Sequence, residues 1–197
     1  MFQFIESIRI KEGRIERLDY HQSRVNRTLL NFGKPPFLQL NEIITPNALN
    51  ASGVVKCRVK YDLQQVLDIT YSAYAVKKIS SISLVELEGR KYDFKYADRD
   101  WITNLLLNAG TDEIIMTDQG IVKDASYANL AFYDGECWYT PQIPLLEGTQ
   151  RAFLLEANKI QVSEIRTSNL HQYQMVKFIN AMMTWEESPT IPLSLLT

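Results

Sequence analysis

Three glycine turns constrain this chain more than any other feature. Glu12-Gly13 separates "FQFIESIRI" from "RIERL". Gly120 separates "DEIIMTD" from "IVKDAS", and Asp134-Gly135 separates "NLAFY" from "ECWYTP". Apolar or alternating runs flank each turn, and glycine accepts the positive φ that tight hairpins need. Antiparallel sheet is therefore built in from the first residues onward. "GVVKCRVKYD" and "QVLDITYSAYAV" add two strands around an Asp62-Leu63 turn. "ISSISLVELEG" and "MVKFINAMMTW" read as further strands.

A few helices interrupt the strands. Asp19 is placed to cap a helix through "YHQSRVNRTLLNF", which Pro35-Pro36 cannot continue. A weaker helix is predicted over about 37–50, broken by Pro46. Asp98 is placed to cap "RDWITNLLLNAG", with Gly110 as its stop. "EGTQRAFLLEANKI" starts a helix after Gly148, and a short helix or turn is expected at 169–174. Antiparallel strands with few helices give an α+β protein of two lobes. The boundary is set at 82/83: a small N-terminal α/β lobe over 1–82 and a larger β-rich lobe over 83–197.

Composition matters mainly for what it excludes. Hydrophobic residues make up 46% of the 197, enough for a real core. A net charge of -2 argues against a general nucleic-acid binder. Two cysteines form no disulfide framework, and two distant histidines offer no metal spacing. The first residues lack the pattern of a signal peptide, and no apolar run reaches a membrane span. A soluble, cytoplasmic protein without membrane or nucleic-acid partners is expected.

The local chemistry is modest. Lys95, in "DFKYADRD", lies between Phe94 and Tyr96 and in a strand would face away from both. A partly desolvated lysine is a nucleophile toward carbonyls, but most lysines are surface charges. Gly148, Thr149 and Gln150 open a helix and would present backbone N–H groups to an anion; the same residues equally make a plain turn. Asp124 ends a strand, where it could pair with a buried cation or simply shape a loop. His21 and Arg24 are three apart on one helix face and could reach a phosphate. Arg9, Arg58 and Arg99 have the fork that matches a carboxylate, and each could equally form a surface or interface salt bridge. Neither a dinucleotide glycine fingerprint nor a Walker loop is present, and no nucleophile elbow stands in the sequence.

The order of these weak signals is more telling. "ESIRIKEGRIERLDYHQSRV", "FKYADRDWITNLL", "DEIIMTDQGIVKDASYANLAFYDGECWYTP" and "PLLEGTQRAFLL" together resemble the class IV aminotransferase family. These are the fold-type IV enzymes that use pyridoxal 5′-phosphate, and they include 4-amino-4-deoxychorismate lyase and the branched-chain and D-amino-acid aminotransferases. The resemblance runs from about residue 4 to 155, with "KFINAMM" a weaker echo.

It implies that Lys95 is the Schiff-base lysine, holding the cofactor and then shuttling the proton. Asp124 falls where the family has a glutamate paired with the pyridine nitrogen. Arg24 matches the arginine that holds the phosphate. Gly148, Thr149 and Gln150 match the phosphate turn, with Gln150 where a threonine is common. Asn129 matches a motif asparagine near the cofactor. The resemblance further implies a homodimer, with the cofactor between the lobes, and a small amino compound as substrate.

A segment that usually precedes the first strand is missing from the sequence, which leaves the substrate pocket the least defined part. The short form and the "YANLAFYDGECWYTP" block favour the lyase, which eliminates pyruvate to give 4-aminobenzoate in folate biosynthesis. An amino-acid aminotransferase is the alternative, and a non-catalytic dimeric relative acting through a partner is the third.

Overall fold

The computed structural model describes residues 2–46 and 52–196. The chain divides into two compact units. The first takes the chain up to Ala75 and adds Phe94–Asp98; the second holds Val76–Asp93 and Arg99 onward. The sequence set its boundary at 82/83. The units part earlier, at Ala75/Val76, and the Lys95 segment belongs to the first.

That first unit starts with β1 (Phe4–Lys11) and β2 (Arg14–Ile15). Glu12 and Gly13, at φ 51° and 72°, form the hairpin turn between them. Helix α1 (Leu18–Asn31) and a single turn, α2 (Leu40–Ile43), follow. Strands β3 (Val54–Tyr61) and β4 (Val66–Ala73) complete an antiparallel sheet of order β2-β1-β3-β4. Asp62 makes the β3–β4 turn, its Oδ1 accepting from the N–H groups of Gln64 and Gln65 at 2.7 and 2.9 Å. Phe4, Ile8 and Ile10 of β1 share one face with Cys57, Val59 and Tyr61 of β3. Val25 and Leu29 of α1 cover that face. The helix expected over 37–50 is reduced to α2, and residues 47–51 lie outside the described residues.

The Phe94–Asp98 segment is stitched to the start of β1. Ile5 N–H donates to Lys95 O at 2.9 Å, Ala97 N–H to Gln3 O at 2.8 Å, and Phe4 bridges Tyr96 antiparallel. Phe94 and Tyr96 both pack into the core of this unit. Tyr96 N–H donates back to Phe94 O at 2.8 Å, so Lys95 sits at the middle of a tight turn rather than in the strand the sequence suggested.

The second unit has β5 (Ile82–Glu86), α3 (Asp100–Ala109), β6 (Glu113–Asp118) and β7 (Ile121–Ala125). Then come β8 (Asn129–Tyr133), β9 (Trp138–Pro141), α4 (Thr149–Glu156) and β10 (Gln161–Ser163). A 3-10 turn (Thr167–Gln172), β11 (Met175–Ile179) and β12 (Thr190–Pro192) close it. Two sheets result, β5-β6-β7 and β10-β9-β8-β11-β12. The glycine hairpins at Gly120 and Gly135 stand where expected. Ile115, Val122, Leu130, Phe132, Val176 and Phe178 form the main core. Leu154 of α4 packs in a second cluster with Ala131, Ile160 and Ile179.

Two helix starts differ from expectation. The caps are Arg17 and Arg99, with no side-chain cap bond, while Asp19 lies inside the first turn of α1 and Asp98 one residue before the cap of α3. Among the described residues no helix is long and apolar enough to cross a membrane.

Candidate active site

In the first unit the chemistry gathers beneath α1. Glu6 is in phase with Phe4, Ile8 and Ile10, so β1 turns it inward, where it is fully buried. A buried carboxylate needs compensation, and α1 supplies it one turn apart. Arg24 donates from Nε to Glu6 Oε1 at 2.9 Å and from Nη2 to Oε2 at 2.6 Å. His21 Nδ1 lies 2.6 Å from the same Oε2. Burial alone would raise the Glu6 pKa, but the Arg24 charge and the hydrogen bonds from His21 and Arg24 outweigh it and bring it down to about 2. Burial lowers His21, against the pull of Glu6, and the charges of Arg24 and Lys95 lower it further. Lys95, half-buried, thus belongs electrostatically to this cluster. The sequence reading singled out Arg24 and Lys95 but missed Glu6. Its inward phase on β1 was the available signal.

The other candidate arginines differ in setting. Arg9 is buried and donates from Nε to Glu16 Oε1 at 3.0 Å. Arg58 is exposed on the sheet face opposite α1. Arg99, the cap residue of α3, donates from Nη2 to the main-chain oxygen of Ser126.

In the second unit the chemistry gathers where β7 hands over to β8. Asp124, near the end of β7, is buried. Asn129, the first residue of β8, donates from Nδ2 to Asp124 Oδ1 at 2.7 Å and to Leu146 O at 2.8 Å. Leu146 N–H donates to Asp124 Oδ2 at 2.8 Å. Burial raises the Asp124 pKa to about 6; the bonds from Asn129 and Leu146 and the charge of Arg151 offset only part of it. Arg151 itself is held from Nε by Thr140 Oγ1 at 3.1 Å and from Nη2 by Pro141 O at 2.9 Å. Gly148 caps α4, and Thr149 and Gln150 begin it, both buried. The predicted residues Asp124, Asn129, Gly148, Thr149 and Gln150 are therefore neighbours in one unit, strung along the Asp124–Asn129–Leu146 bonds and the start of α4.

These residues fit pyridoxal phosphate. Asp124 is a buried carboxylate held by neutral donors, and a protonated ring nitrogen would add the cation it lacks. Gln150 Oε1 is buried without a hydrogen-bond partner at the positive end of α4. Its amide oxygen and nitrogen are interchangeable by a flip, so the side chain can present N–H groups to a phosphate. Among the described residues no three His, Cys, Asp or Glu side chains gather as a metal site would require.

Comparison with known proteins places this geometry. A family model described as amino-transferase class IV matches residues 3–186. A Haemophilus influenzae protein described as uncharacterized is 35% identical over 92% of this chain and 98% of its own. Aminodeoxychorismate lyase of Bacillus subtilis is 23% identical over 91% of this chain and 71% of its own length. A solved structure described as a putative 4-amino-4-deoxychorismate lyase, from Haemophilus somnus, is 34% identical, covers 92% of this chain and 97% of its own, and superposes with a TM-score of 0.80. A hypothetical aminotransferase from Mycobacterium tuberculosis, solved with pyridoxal phosphate bound, is 15% identical and shares the fold at a TM-score of 0.77, over 96% of this chain and 80% of its own.

Proposed function

The chain belongs to the amino-transferase class IV family of pyridoxal-phosphate enzymes, and from that premise we propose that it is a 4-amino-4-deoxychorismate lyase, releasing pyruvate and leaving 4-aminobenzoate for folate biosynthesis. The observation that carries this reading is the 34% identity to the Haemophilus somnus structure over nearly all of both chains. The Bacillus subtilis relative supports it at lower identity.

Pyridoxal phosphate, when bound, supplies the electron sink that lets a C–H bond beside the amine ionise. The chain's own residues divide the remaining work. Lys95 Nζ anchors the cofactor and then takes the α-proton of the substrate and delivers a proton onward. Asp124, ionised, holds the proton on the ring nitrogen. Thr149 and Gln150, the first residues of α4, would hold the phosphate. Glu6 fixes the guanidinium of Arg24 through two bonds, so that it is oriented before any ligand arrives. Arg58 is offered to a substrate carboxylate, whereas Arg9 is committed to Glu16. We take the working form to be a homodimer.

The test is turnover by the purified protein with pyridoxal phosphate. Given 4-amino-4-deoxychorismate alone, it should release pyruvate and 4-aminobenzoate in equal amounts. Activity that appears only with an amino acid and a 2-oxo acid would replace the lyase reading with an aminotransferase. Lys95→Ala should lower turnover by about 10³-fold or more.

A further inference from the structure

Gly148 raises a question that its backbone does not answer. Its φ is -76°, a value open to any residue. The reason for glycine lies instead in a neighbour. A Cβ at this position would sit 1.8 Å from Asn129 Oδ1 and 3.0 Å from its Cγ, and the third nearest atom, at 3.7 Å, is also Asn129's. Such an approach is far inside van der Waals contact. Nor is Asn129 at liberty to swing aside. Its Nδ2 is committed to Asp124 Oδ1 and to Leu146 O. Leu146 N–H closes the ring on Asp124 Oδ2.

We propose that Asn129 is a positioning residue that fastens the Asp124 carboxylate to the Leu146–Gly148 turn, and that position 148 is glycine to make room for the Asn129 amide. The carboxylate and the start of α4 are thereby one rigid piece. This gives the shorter aspartate a defined place: Oδ1 is aimed by Asn129 and Oδ2 by the turn that leads into α4. The inference rests on the cofactor reading only for its consequence in catalysis. The fastening belongs to the protein without ligand.

A double-mutant cycle on the cofactor-free full chain tests it. Gly148→Ala should lower Tm by about 5 °C, since it forces a clash or breaks the Asn129 bonds. Asn129→Ala should also lower Tm. The double variant should be no less stable than Asn129→Ala alone, because the atoms that the new methyl meets are gone. Additive losses in the double variant would overturn the proposal.

Amide exchange at Leu146 supplies a second readout, on Asn129→Ala, which removes atoms without adding any. Its N–H should lose protection by about tenfold in that variant as Asp124 is released. Unchanged protection would show that Asn129 does not hold the turn. Neither measurement depends on turnover, so a failed lyase assay leaves this test standing.

Discussion

Two buried carboxylates, Glu6 in the first unit and Asp124 in the second, end up at opposite ends of the carboxylate range. Glu6 meets a guanidinium and an imidazole and falls to about 2. Asp124 meets a carboxamide and backbone N–H groups, with the Arg151 charge adding less, and rises to about 6. Burial raises both; the charge of the partner decides the sign of the outcome. The difference suits different tasks. Glu6 is a permanent anion whose charge is spent on Arg24. Asp124 has only neutral hydrogen-bond donors, and the charge of Arg151 does not outweigh its burial, so a directly bonded cation would bring its pKa down.

The sharpest way to break this comparison is to remove the cation from the first cluster. Arg24→Met should cost about 3–5 kcal/mol in urea unfolding, because it strands a buried carboxylate. A loss below about 1 kcal/mol would mean that Glu6 is compensated without Arg24.

The next effect concerns pH, and the two groups have opposite signs. Glu6 has its folded pKa lowered from 4.5 to about 2, so its stabilisation is present above 4.5 and is lost as pH falls through about 2. Asp124 has its folded pKa raised from 3.8 to about 6, so its contribution is full below 3.8 and is lost as pH rises through about 6. The swing for Asp124 is about 3 kcal/mol. Neutral, buried His21 opposes it, losing stability as pH falls below 6.5. The difference between wild type and Asp124→Asn isolates the carboxylate. That difference, followed in cofactor-free protein between pH 4 and 7, should change by about 2.5 kcal/mol, most of the full swing. A constant offset, as expected from one lost acceptor alone, would refute the raised pKa.

The smallest effect sharpens the comparison from outside both clusters. Arg58→Ala should change stability by less than about 0.5 kcal/mol, because the side chain is exposed. If Arg58 meets a substrate carboxylate, KM should rise while the cofactor spectrum stays unchanged.

Much of this was legible from the chain. Glycine turns at Gly13, Gly120 and Gly135 fixed three hairpins, because positive φ excludes most other residues there. Lys95, Arg24, Asp124 and the Gly148 turn were singled out through motif order; the structure sets Lys95 and Arg24 in the first unit and Asp124 and Gly148 in the second. The misses have physical causes. Asp19 and Asp98 looked like caps, yet both helices begin on an arginine without a side-chain bond, so the cap rule had nothing to detect. The parallel pairing of β5 with β6 joins strands far apart in sequence, which local patterning does not report. Glu6 read as an ordinary strand residue. Its partners sit on a different element, and only its phase with Ile8 and Ile10 betrays that it faces inward. The reason for glycine at 148 was invisible for the same cause: it depends on an asparagine 19 positions earlier.

The central claim is that Lys95 is the cofactor lysine, and one experiment addresses it directly. The protein is incubated with pyridoxal phosphate, its visible absorption recorded, and the adduct reduced with borohydride and mapped by peptide mass. The account predicts a visible band and a single labelled lysine, Lys95. No band, or label scattered over exposed lysines with Lys95 unmodified, would contradict it.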